Sequence, residues 1–84
     1  MKIIFSSQAW EEYLAWQKTD RHILKRINTL TDDIRREAYK GKGKPEPLKY
    51  ALSGYWSRRI SEEHRLVYKV ENDMLLIAQV RYHN

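Results

Sequence analysis

From Tyr55 onward the chain alternates apolar and polar residues with a period of two, whereas before Lys40 its apolar residues recur every three or four. A period of two marks strands whose successive side chains leave opposite faces, and a period near 3.6 marks helices. The chain is thereby restricted to an α+β arrangement in which helices come first and a sheet follows. The alternation also assigns faces. In Arg65 to Val70 one parity holds Leu66, Tyr68 and Val70, the core side, and the other holds Arg65, Val67 and Lys69. In Tyr55 to Ser61, Trp56 and Ile60 oppose Tyr55, Ser57 and Arg59. In Leu75 to His83, Leu76, Ala78, Val80 and Tyr82 read as the core parity, against Ile77, Gln79, Arg81 and His83. Glu62-Glu63-His64 and Glu71-Asn72-Asp73 supply the turns of an antiparallel meander. Helices cover the apolar face, and the other is a basic, partly open one.

The first half supplies those helices. Lys2 to Phe5 is a short β-branched and aromatic run, and Ser6-Ser7 offers an N-cap before Glu11 and Glu12, whose charge suits the first turns of a helix. Ala9, Trp10, Tyr13, Leu14 and Trp16 fall on one broad stripe, expected to pack against the sheet. Thr19 or Asp20 caps a second helix in which Ile23, Ile27, Leu30 and Ile34 recur at spacings of four, three and four. Lys25, Arg26, Arg35 and Arg36 lie largely off that stripe, as a solvated face or as contacts to a phosphate backbone. Gly41 reads as a helix C-cap, and Lys40 to Pro47 as a flexible basic loop that stiffens at Pro45 and Pro47.

Eighty-four residues make one domain spanning 1–84, which buries only roughly 60–65% of its unfolded surface and leaves no room for a separate substrate domain. Sixteen Lys and Arg against eleven Asp and Glu give a net charge of +5, which favours a polyanionic partner such as nucleic acid. With no cysteine there is no disulfide framework, thiolate zinc site or thiol nucleophile. The three histidines show no metal-ligand spacing, so neither metal nor cofactor is expected. The five residues Met1 to Phe5 are far too short for a signal peptide, and no apolar run approaches the roughly 20 residues that span a bilayer. The expectation is a soluble cytoplasmic protein with no membrane partner.

On the polar parities the chain carries what metal-free RNA cleavage requires: a base for the 2′-hydroxyl, fixed positive charge for the phosphorane, and an acid for the leaving 5′-oxygen. Glu46, set between two prolines, is the candidate general base. Arg65 and Arg59 are the candidate charge stabilisers, and His83 is the candidate general acid. Each has a plainer reading. Glu46 is then merely a solvated loop residue, and Arg58, Arg59 and Arg65 are exposed strand arginines that pair with Glu62 or Glu63 across a hairpin. His83 is then a terminal residue, and His22 and His64 are expected to be surface histidines with no special task.

Four separated segments also carry a resemblance: Gly41-Lys42-Gly43-Lys44-Pro45-Glu46-Pro47-Leu48-Lys49, Leu52-Ser53-Gly54-Tyr55-Trp56-Ser57-Arg58-Arg59-Ile60, Glu62-Glu63-His64-Arg65-Leu66-Val67-Tyr68 and Arg81-Tyr82-His83. In order and spacing, over essentially the whole chain, they resemble the YoeB toxins of the RelE superfamily. The resemblance implies a RelE-like α+β fold, with an N-terminal strand and two helices packed on one face of a mainly antiparallel sheet. It implies the toxin of a type II toxin–antitoxin pair, an mRNA endonuclease that works without a cofactor in the A site of the 70S ribosome and blocks translation. Glu46, Arg65 and His83 then match the family's base, phosphate-stabilising arginine and acid, and Lys49 and Arg59 match its supporting phosphate contacts. A YefM-like antitoxin is implied as partner, with DNA reached only through that antitoxin, and members of the family are often dimeric. Relatives commonly end in an aromatic where this chain has Asn84, so a stacking ring at that position is missing. Two other classes stand beside this one: a ParE-like toxin acting on a protein target, and a non-catalytic RNA-binding module. The first lacks the Glu, Arg and His set, and in the second charge matters while His83 does not.

Overall fold

The computed structural model describes residues 1–82, and Asn84 and the candidate acid His83 lie outside the described residues. Five strands and two helices follow one another as β1 (Lys2–Phe5), α1 (Ser7–Thr19), α2 (Arg21–Arg36), β2 (Glu46–Pro47), a 3-10 turn (Tyr50–Leu52), β3 (Trp56–Arg59), β4 (Arg65–Glu71) and β5 (Met74–Gln79). The sheet order is β1-β5-β4-β3-β2. β1 runs parallel to β5, and the other three pairings are antiparallel. Two N-terminal helices on one face of a mainly antiparallel sheet are the arrangement anticipated from the change of period. Among the described residues no helix is long and apolar enough to cross a membrane.

Local chemistry sets the element ends. Ser6 caps α1 by accepting the Ala9 N–H. Asp20 ends α1 by donating its own N–H to the Trp16 carbonyl, and starts α2 by accepting from His22 and Ile23. One residue thus serves both helix termini, whose amides and carbonyls lack intrahelical partners. The β4–β5 hairpin turns on Asn72 and Asp73 at φ 52° and 58°, the left-handed pair that a two-residue type I′ turn requires and that Asn and Asp tolerate.

The core is a single cluster in which Ala9, Ile27, Leu30 and Ile34 of the helices meet Leu66, Tyr68, Leu75, Ile77 and Val80 of the sheet side. The parity assigned to β3 and β4 holds. That assigned to the last strand does not: Leu75 and Ile77 are buried, whereas Leu76 and Ala78 are only half-buried. The register slips where Val67 pairs with Gln79 but Tyr68 with Ile77. The extra residue of this β-bulge moves the buried series from odd positions to Val80. On the open face, Ile4, Tyr55, Leu76 and Ala78 accordingly line an apolar cleft over β1 and β5, so only the part over β2 to β4 is polar.

Three further expectations change. On α1 the inner stripe is Ala9, Tyr13 and Trp16, at four- and three-residue spacing, while Trp10 and Leu14 lie a hundred degrees further round and stay 47% and 39% exposed. Gly41 is not the cap of α2, which ends at Glu37; at φ 119° it lies against Asp33, where an added Cβ would collide with the carboxylate. The Lys40 to Lys44 segment is not loose either. Arg58, expected at the surface, is fully buried and donates to the carbonyls of Glu37 (2.7 Å), Lys40 (2.9 Å) and Lys42 (3.1 Å). It also bonds the Tyr68 hydroxyl (3.2 Å) and the Asp33 carboxylate. A charge taken out of water survives only when its donors are satisfied, and Arg58 meets that condition by gathering the loop around itself.

Candidate functional site

Glu46 is placed by a strand of two residues. β2 hydrogen-bonds to β3 at the sheet edge, with Glu46 opposite Ser57 and Pro47 opposite Trp56. Proline is acceptable there because an edge strand has no partner on its outer side for the missing N–H. β3 in turn sets Arg59 opposite Arg65 of β4. Glu46, Ser57, Arg59 and Arg65 therefore share the sheet face turned away from the helices.

Three of these groups are joined directly. Arg65 Nη1 lies 3.0 Å from Glu46 Oε1 and donates to Ser57 Oγ at 3.2 Å. The ion pair is open to solvent, with the arginine side chain 27% and the carboxylate 55% exposed, so its value to stability is at most about 1 kcal/mol. Among the described residues, Arg65 Nε and Nη2 donate to nothing. A guanidinium presents five N–H donors in a planar fork matched to a phosphate, and most of this fork remains available. Ser57, fully buried, was placed by parity on the right face, but its bond to Arg65 had no signal in the sequence.

Arg59 is fixed through its backbone. Its N–H donates to the Gly43 carbonyl at 2.7 Å and its carbonyl accepts from Arg26 Nη2 at 3.3 Å. Its side chain is exposed, and no ion pair among the described residues includes it. Lys49 is also exposed, but it lies on the β2–β3 connection, beyond the Trp56 end of β3 and away from Arg59. The cations thus form a track along β3 rather than one cluster around Arg65. The Glu62 and Glu63 pairing offered as the plain alternative for the strand arginines does not form among the described residues.

The backbone that leads to His83 is beside Arg65: the Arg65 N–H donates to the Tyr82 carbonyl at 3.0 Å. His64, expected to be an idle surface residue, is half-buried against Trp16 and Tyr82, with ring centroids 4.9 and 4.7 Å away. Among the described residues, no three His, Cys, Asp or Glu side chains gather as a cation site. Chemically, the arrangement offers a solvent-accessible carboxylate as proton acceptor and an adjoining guanidinium with unspent donors, on an open surface that admits an extended strand.

Residues 5–84 match the family described as the YoeB-like toxin of bacterial type II toxin–antitoxin systems. The chain is 63% identical over 83 residues to Toxin YoeB of Escherichia coli K12, covering 99% of each. The solved YoeB dimer from Staphylococcus aureus is 48% identical with a TM-score of 0.94, over 100% of this chain and 98% of that one. The YoeB–YefM complex from the same organism gives 46% and 0.93 over the same shares.

Proposed function

Because the chain belongs to the YoeB-like toxins of bacterial type II toxin–antitoxin systems, we propose that it is an endoribonuclease that cuts mRNA in the ribosomal A site without a metal ion. The observation that carries this reading is the direct contact of Glu46 with Arg65 on an open sheet face, with most of the guanidinium's donors unspent among the described residues. Glu46 takes the proton from a ribose 2′-hydroxyl. The alkoxide bonds to the adjacent phosphorus, and Arg65, assisted by Arg59, stabilises the charge that builds on the phosphoryl oxygens. The bond from phosphorus to the 5′-oxygen breaks, and His83 protonates that oxygen. The products are a 2′,3′-cyclic phosphate and a 5′-hydroxyl. DNA, lacking the 2′-hydroxyl, is not cut.

The open site accounts for the need of a ribosome. A surface with cations spread along one strand binds phosphate without forcing the 2′-oxygen, phosphorus and 5′-oxygen into line, and alignment contributes several kcal/mol to such a reaction. The ribosome supplies that alignment. Lys49 and the basic side chains of α2 hold RNA backbone, so ribosome binding weakens steeply with salt. A YefM-like antitoxin is the partner that neutralises the chain, as a YoeB is paired with YefM in the Staphylococcus aureus complex, and a homodimer like that of the same organism's YoeB is its expected free form.

The test is to mix the protein with ribosomes carrying a defined mRNA, with naked mRNA as control, and to map the new ends and their chemistry. A cut within the A-site codon, ending in a 2′,3′-cyclic phosphate and present only with ribosomes, is expected. Binding without any cut would replace the reading by a non-catalytic RNA-binding module. Neither binding nor cutting would favour a ParE-like protein target.

A further inference from the structure

Beyond Gln79 the sheet ladder gives out, and residues 78–82 are held by groups from the rest of the molecule. Ser6 Oγ donates to the Ala78 carbonyl at 2.7 Å, the Val80 N–H donates to Glu12 Oε1 at 2.8 Å, and Trp16 Nε1 donates to the Val80 carbonyl at 3.0 Å. At Tyr82 both backbone groups are used: the carbonyl accepts from the Arg65 N–H, and the N–H donates to His64 Nδ1 at 2.9 Å. Arg81 closes the arrangement from outside, its guanidinium 5.6 Å from the Trp16 ring centre and 5.1 Å from that of Tyr82.

Tyr82 itself has φ 56°. For a bulky residue this left-handed conformation is uncommon, and it persists only where the surroundings over-determine it. The two hydrogen bonds to Tyr82 and the two aromatic contacts of His64 are those surroundings. They hold a strained residue at the point where the chain leaves Arg65.

We propose that His64 is a positioning residue for the chain end: its Nδ1, with the ring proton on Nε2, accepts the Tyr82 N–H and fixes the origin from which His83 follows. This rests on the reading of His83 as the general acid. A neutral imidazole has one donor and one acceptor nitrogen, so the contact also selects the tautomer. Trp16 and Glu12 perform the same service one step earlier, at Val80.

Two substitutions separate the acceptor from the ring. His64→Phe keeps an aromatic against Trp16 and Tyr82 but has no acceptor. His64→Asn gives up the ring but sets a carbonyl oxygen where Nδ1 stood. Single-turnover cleavage on ribosome-bound mRNA is expected to slow by ~10- to 100-fold in His64→Phe, as misplaced reacting groups do. The half-saturating concentration should stay within about twofold, since binding is untouched. In His64→Asn the rate is expected to return to within about threefold of the starting protein, because the acceptor is restored. Hydrogen exchange at the Tyr82 amide should accelerate in the Phe variant and stay slow in the Asn variant. An Asn variant as slow as the Phe variant, or a Phe variant as fast as the starting protein, would overturn the proposal. His83→Gln is run alongside. If it cleaves normally, the acid reading has failed, and the Tyr82 amide alone then decides whether His64 holds the chain end.

Discussion

Two arginine–carboxylate pairs lie on opposite faces of the same strand pair, and they are built for different ends. On the helix side Arg58 is enclosed and its partner Asp33 half-buried, with three loop carbonyls and a tyrosine hydroxyl sharing the guanidinium. On the open side Arg65 and Glu46 meet at 3.0 Å with one serine for company. The first arginine has no donor left to offer, and the second, among the described residues, has most of its donors in hand. Adjacent in sequence to Arg58, Arg59 belongs with the second group. The contrast teaches that an ion pair reads as architecture when its hydrogen bonds are saturated, and as a candidate reaction centre when they are not.

The contrast is most exposed to failure at Arg58. Replacing it with Met strands Asp33 and frees the Lys40 to Lys44 segment, and removing one partner of a buried pair costs about 3–5 kcal/mol. Urea denaturation measures this, and a variant as stable as the starting protein would erase the distinction between the two pairs. Arg65→Met should do the reverse. Cleavage falls by about 10²- to 10³-fold, the usual cost of removing one donor to a developing charge, while stability moves by less than about 1 kcal/mol.

Acid sharpens the comparison further. The backbone N–H of Lys42, and after it the Arg58 guanidinium, hold the Asp33 carboxyl below its ordinary value. A lowered folded-state value means that the stabilisation is complete above the unfolded value of about 4, and drains away as pH falls through it toward the folded value. Asp33→Asn should therefore cost about 1–3 kcal/mol at pH 7, and the gap should narrow below pH ~4. Melting curves at the two pH values decide it, and a gap that widens in acid would reverse the sign. The smallest effect is expected at Tyr68, whose hydroxyl donates to the Ala38 carbonyl at 2.6 Å and accepts from Arg58. Burial raises its titration point, so it stays a neutral donor. Tyr68→Phe should lower stability by about 1 kcal/mol and leave cleavage unchanged.

What could be read from the chain beforehand follows from how local each cause is. The stripe of Ile27, Leu30 and Ile34 and the alternation in β3 and β4 are imposed by neighbours two to four residues away, so the sequence displays them. β5 defeated the same reasoning because a bulge adds one residue, and no residue type at Ala78 announces it. Arg58 looked like its neighbour Arg59 because an arginine carries its burial in its partners, which here are Asp33 and the carbonyls of residues 37–42. Glu46 and Arg65 could be singled out by residue type, while the two-residue strand that presents Glu46 could not, being too short to show a period. His64 was misread for the same reason as Arg58: its partners, Trp16 and Tyr82, lie 48 and 18 positions away along the chain.

β5 sits between β1 and β4, which has a consequence for the order of events during synthesis. Until residues 74–79 have been made, β1 has no neighbour and the sheet exists only as its β2 to β4 portion. The contacts that complete it, such as Ser6 to Ala78 across 72 positions, are among the longest in the chain and form late. Val80 is held by Glu12 and Trp16 and Tyr82 by His64 and Arg65, so the groups that seat residues 80–82 come from both halves of the chain and engage only once those residues have been made. The face that carries Glu46 and Arg65 belongs to the portion that can form first, whereas the backbone beyond Gln79 is seated beside it only at the end of synthesis.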